Sequence, residues 1–172
     1  MKKVLILDTS MFCVWLQVPG YESCGETHDI WNFERVNQKI TDEIENQSTL
    51  ILPLATFIET GNHISHVSGN LRYMLANQLC HILHKCIQQE EPWAAFSEQV
   101  DLWNDETLTR IATEWPDLAV QSGLSIADAT IINVAHFYYK LGCYAEILTG
   151  DAGLRAYEPV PTEIRPVPRR RK

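Results

Sequence analysis

The 172-residue chain carries 22 acidic and 14 basic side chains, a formal net charge of −8, with 45% hydrophobic and 21% charged residues. That size and mixture fit one folded domain with a real core, and exclude a fibrous repeat or a disordered tail. The five bases of residues 165–172 mask a body of nine bases against 22 acids, a formal −13, which excludes holding a polyanion on a broad basic face.

In chain order, Lys3-Val-Leu-Ile-Leu7 is a short apolar run expected of a strand buried on both faces. It is too short for a signal-peptide core, and no apolar run approaches the ~18 residues of a membrane span. Asp8-Thr9-Ser10 ends the strand with several helix-capping oxygens. Residues 18–30, with Pro19, Gly20 and Gly25, read as a loop. Trp31 to Glu45 places Phe33, Val36, Ile40 and Ile44 on one helical stripe with a charged opposite face. Leu50 to Leu54 reads as a second strand closed by Pro53, followed by a helix from about Thr56 to His66.

A helix over Leu71 to Gln89 follows, on the spacing Leu75, Leu79, Ile82 and Leu83, and Pro92 stops it. Trp93 to Leu124 reads as helical pieces broken near Pro116 and Gly123. Ser125 to Leu141 is a strong helix ending at Gly142; Tyr144 to Thr149 is a third strand, and Thr162 to Val167 a short fourth. Strands alternating with helices predict an α/β fold with a parallel sheet and helices on both faces. The five cysteines (Cys13, Cys24, Cys80, Cys86, Cys143) are odd in number and form no CxxC pair, as expected of reduced thiols in a cytoplasmic protein.

Ligands of a parallel α/β sheet bind at the carboxyl ends of its strands. Asp8 closes the first strand and Asp151 follows the third, while Glu59 and Asp128 lie near the amino ends of helices that share that edge. Each acid alone has a plain explanation. Asp128 completes a capping box with Ser125, Asp8 and Asp151 can cap the helices that follow them, and Glu59 can be a solvated charge. Together they are harder to explain, because clustered anions repel by roughly 4 kcal/mol per pair at ~4 Å and an effective dielectric near 20. Few lysines or arginines lie near them in sequence, so a hard divalent cation, Mg²⁺ or Mn²⁺, is the economical counter-charge.

The segments Val4-Leu-Ile-Leu-Asp8-Thr-Ser10, Glu59 after Leu50–Leu54, Leu124-Ser-Ile-Ala-Asp128-Ala-Thr-Ile131 and Leu148-Thr-Gly-Asp151 resemble the PIN-domain ribonucleases, and most closely the VapC-like toxins of bacterial toxin–antitoxin pairs. The resemblance runs from about Lys3 to Tyr157 and is loosest between Gly69 and Gly123. It implies a PIN-like three-layer α/β/α domain with a central, mainly parallel sheet over residues 1–160. An extra helical segment falls near 90–120, and residues 161–172 form a short strand or basic tail. It implies metal-dependent hydrolysis of RNA phosphodiesters, with a catalytic quartet Asp8, Glu59, Asp128 and Asp151. Asp8, Asp128 and Asp151 would hold Mg²⁺ or Mn²⁺, Glu59 a water or a second ion, and Ser10 and Thr149 would orient the site. RNA, an antitoxin protein and a second copy of the chain are the partners implied, with no membrane partner.

For contacts to RNA the candidates are Arg155 and the tail residues Arg169, Arg170 and Arg171. The five tryptophans read mostly as core, and the apolar helices over 33–44 and 71–87 suit helix-in-groove binding of a partner. Cys80, His84 and Cys86 do not share one helical face, which argues against zinc. Glu59, His63 and His66 do share one, making His63 a candidate wall residue of the site. Two other functions compete: a non-catalytic PIN-like module that binds RNA or protein, and an Asp8-based phosphatase. The phosphatase would want a second acid where Ser10 stands.

Overall fold

The computed structural model describes residues 1–94 and 96–160. Three parallel strands, β1 (Lys3–Leu7), β4 (Thr49–Ile51) and β5 (Tyr144–Leu148), form a sheet in the order β4-β1-β5, with Leu5 opposite Leu50 and Glu146. An antiparallel pair, β2 (Ser23–Cys24) and β3 (Trp31–Asn32), stands apart. Trp93 adds an isolated parallel bridge to Leu50 at the β4 edge.

Side chains alternate across the pleat of β1. Leu5 and Leu7 point into a core with Met11, Phe12 and Val14 of α1 (Thr9–Trp15), Val36 and Ile40 of α2 (Phe33–Glu45), Ile64 of α3 (Leu54–Ser65) and Leu75, Leu79 and Ile82 of α4 (Gly69–Gln88). Val4 and Ile6 point into a second core with Ile131, Val134, Ala135 and Tyr138 of α6 (Ile126–Lys140) and Leu154 of α7 (Ala152–Arg155). Helices therefore cover both faces of the parallel sheet, as the alternation of elements predicts. Among the described residues no single helix is long and apolar enough to cross a membrane.

Several boundaries differ from the sequence expectation, each for a local reason. The 18–30 loop contains strand β2, because Ser23 and Cys24 pair with Asn32 and Trp31. β4 stops at Ile51, and α3 begins at Leu54 with Pro53 as its N-cap. Pro116 does not break its segment: α5 runs continuously over Asp105–Ser122 and ends at Gly123, whose φ of +67° supplies the left-handed turn. The proline sits on an exposed face, so the Ala112 carbonyl left without a helical donor belongs to an exposed residue. Ahead of α5, Phe96–Trp103 forms a 3-10 helix. The expected strand over Thr162 to Val167 lies outside the described residues.

The charged face assigned to α2 also holds an exception. Glu43 is 6% exposed and accepts from Lys3 Nζ (2.5 Å), Lys39 Nζ (2.7 Å) and Ser48 Oγ (2.6 Å). Glu146 on β5 closes the network from the other side, 2.6 Å from Lys3 and 2.8 Å from Lys39. Burial works to raise the Glu43 pKa, but the three donors outweigh it and bring it down to about 2.

Candidate active site

Strand order places the site. The chain passes from β1 to β4 on one side and reaches β5 on the other, so the order reverses at β1, and the crevice of such a sheet opens at that strand's carboxyl end. Asp8 stands there, 6% exposed, with its amide donating to the Leu148 carbonyl at 3.2 Å. It occupies the N-cap position of α1 without making the capping bond of its side chain. Instead Asp8 Oδ2 accepts from Ser10 Oγ (2.7 Å) and from Thr149 Oγ1 (2.9 Å). Thr149 Oγ1 in turn accepts from the Asp151 amide at 3.0 Å, which couples the end of β5 to that of β1.

Burial is the main cause that pushes the Asp8 pKa up to about 6, against the lowering effect of its hydroxyl donors. The charge of Asp128 raises it further. Asp128 lies in the first turn of α6. None of Asp8, Glu59, Asp128 and Asp151 forms an ion pair among the described residues.

Of the other three acids, Asp128 and Asp151 are held by their own helices and Glu59 by a residue of α1. Asp128 accepts from the Ser125 amide at 2.7 Å while its amide donates to Ser125 Oγ at 3.1 Å, the expected capping box. Asp151 Oδ1 caps α7 through the amides of Gly153 (2.7 Å) and Leu154 (3.3 Å). In both residues one carboxylate oxygen serves the helix, and the second accepts no hydrogen bond among the described residues. Glu59 Oε2 accepts from Thr9 Oγ1 at 2.8 Å, and Thr56 Oγ1 donates to the Leu7 carbonyl at 2.8 Å, pinning α3 to the end of β1. Among the described residues, no three His, Cys, Asp or Glu side chains stand close enough to share one metal ion.

The β2–β3 segment closes against one side of this edge. A Cβ on Gly150 would lie 2.7 Å from Gly25 Cα and 2.8 Å from Gly25 N, so the two backbones touch where a side chain cannot fit. Asp29 in the same segment meets Arg35 at 2.7 Å and Arg155 at 3.4 Å. Arg155 also donates to the Thr149 carbonyl at 2.5 Å, so this candidate for RNA contact braces the site. Arg169, Arg170 and Arg171 lie outside the described residues.

Sequence reasoning did not find Thr9, Tyr21 or the glycine contact. Tyr21 Oη lies 2.9 Å from a ring nitrogen of His63, four residues along α3 from Glu59, with ring centroids 4.8 Å apart. Thr9 was legible as part of Asp8-Thr9-Ser10; nothing local to Tyr21 signals its partner. Cys80 is exposed while Cys86 is buried, consistent with the absence of a shared face. A concavity of about 770 Å³ lies at the opposite edge of the sheet, lined in part by Lys2, Thr49, Trp93 and Cys143, and none of the four acids lines it. Comparison with protein-family models, with curated proteins and with solved structures gives no match.

Proposed function

We propose that this chain is a metal-dependent endoribonuclease of the PIN-domain kind, hydrolysing RNA phosphodiester bonds at the Asp8 edge. The observation that carries the reading is Asp8 itself. It is a buried carboxyl at the strand-order reversal, paired with no protein cation among the described residues. Asp128 and Asp151 serve their helices and would persist in a non-catalytic module. Asp8 forms no side-chain capping bond, and its burial is unfavourable unless a cation meets it.

The donor set is all oxygen, which suits Mg²⁺ or Mn²⁺, ions that need only one or two carboxylates and keep several waters. Asp8 would bind it directly, and Asp128 and Asp151, which do not stand close enough to share one ion with it, would act through metal-bound water. Such an ion supplies an activated water and neutralises charge on the phosphate. Ser10 and Thr149 hold Asp8 in one rotamer, so its free lone pairs point in a fixed direction. Glu59, held by Thr9, would take the proton of the attacking water while the leaving 3′-oxygen is protonated from solvent, giving a 5′-phosphate and a 3′-hydroxyl.

In the toxin form of this reading an inhibitory protein covers the exposed apolar side chains of α4, among them Leu71, Tyr73, Met74 and Ile87. The decisive test is cleavage of a labelled RNA with Mg²⁺, with Mn²⁺ and with chelator. Cleavage that needs the ion and disappears in Asp8→Asn supports the assignment. Cleavage that survives Asp8→Asn, or none with either ion, overturns it.

A further inference from the structure

An acidic body gives a single RNA strand little charge to hold. The two arginines beside the β2–β3 segment are engaged: Arg155 with Thr149 and Asp29, Arg35 with Asp29 and with the Trp31 ring 3.7 Å away. With these two guanidinium groups engaged, ring faces at this edge are a source of affinity for a strand beside the metal and the basic tail.

Two aromatic residues of the 18–32 segment stand at this edge, and Trp31 already carries Arg35 over its ring. Tyr21 is partly exposed, and its hydroxyl is held at 2.9 Å by the His63 ring. His63 follows Glu59 by one helical turn on the same face of α3, and the charge of Glu59 reaches the Tyr21 phenol. The His63 ring packs against the Tyr21 ring, centroids 4.8 Å apart and tilted by 53°, a contact that restrains the plane of the tyrosine ring, so little freedom is lost when another ring packs on it. Resting on the nuclease reading, we infer that Tyr21, fixed by His63, is the platform on which an unpaired nucleobase beside the scissile phosphate stacks. Stacking of this kind tolerates any base, because every base has a π-face. Tyr21 is thus a positioning residue.

The test uses the full chain, a labelled oligoribonucleotide, and a set of oligonucleotides with one abasic nucleotide stepped through the positions around the cleaved bond. Tyr21→Ala should raise KM about tenfold with kcat within about threefold, and Tyr21→Phe should stay within about twofold of the parent. For the parent, binding measured by anisotropy in an Asp8→Asn background should weaken at one abasic position. At that position Tyr21→Ala should add no further loss. A parent that cleaves RNA while Tyr21→Ala matches it, or whose binding ignores every abasic position, overturns the platform and leaves the nuclease reading standing. Tyr21→Phe as defective as Tyr21→Ala overturns it too, since the hydroxyl would then matter and the ring would not. A parent that neither binds nor cleaves RNA overturns both. The abasic scan on the parent needs no Tyr21 variant, so misfolding of one cannot hide the result.

Discussion

Thr149 Oγ1 donates to Asp8 Oδ2 at 2.9 Å across 141 residues of sequence, while accepting the Asp151 amide at 3.0 Å. One hydroxyl thus ties two carboxylate-bearing strand ends together. It also stabilises the ionised form of Asp8, opposing the burial that favours the neutral one.

Removing that hydroxyl while keeping its shape should expose its role. Thr149→Val should move the Asp8 pKa further up and lower cleavage by roughly tenfold, since a hydrogen bond to a charged group contributes about 1.5–3 kcal/mol. Thr149→Ser, which keeps the donor, should retain most of the activity. Cleavage profiles against pH for the three proteins check this, the valine profile shifting to higher pH.

Asp8 should leave a signature on stability. Folding raises its pKa from 3.8 to about 6, so the folded state holds the proton more tightly than the unfolded chain. That stabilisation is complete below pH 3.8 and is lost as the pH rises through about 6. Asp8→Asn, without a titrating group, should be more stable than the metal-free parent at neutral pH by up to about 3 kcal/mol. Urea titrations in chelator across this window measure the slope. Added Mn²⁺ should raise the melting temperature of the parent and leave the variant unmoved.

Glu43 should behave in the opposite sense. Its folded pKa, lowered to about 2 from 4.5, gives a stabilisation present above pH 4.5 and lost as the pH falls through about 2. Glu43→Gln should cost roughly 3 kcal/mol at neutral pH by leaving Lys3 and Lys39 with Glu146 alone. The gap between variant and parent should close in acid, a convergence that denaturant titrations at two pH values resolve.

Gly150→Ala tests the contact between the β2–β3 segment and the end of β5. The added carbon would meet backbone atoms of Gly25 at 2.7 and 2.8 Å, and backbone cannot swing aside as a side chain does. A loss of about 1–3 kcal/mol is expected. Hydrogen exchange should show the loosening concentrated in residues 23–32 and at Thr149, with the α4 amides unchanged.

The elements legible in the sequence are those whose signals are local. Val4 to Leu7 read as a buried strand because every residue of that run is apolar, and it is one, with neighbours on both sides. Ser125 and Asp128 announced the start of α6 because a capping box closes within four residues. Asp8 and Asp151 could be placed at one edge because parallel strands all end there. Pro116 misled, since the rule that proline breaks helices describes an isolated segment, and α5 gains its stability from packing on α6 and on Leu124 through Trp115.

Sequence by itself determined the alternation of elements and the four acids at their ends, because periodicity and capping are decided within a few residues. Only the tertiary structure decided that Thr9 reaches Glu59, that Tyr21 meets His63, and that Glu43 turns inward onto Lys3. Those outcomes depend on distances between segments 40 or more residues apart, which strand register and helix packing set and which no local pattern encodes.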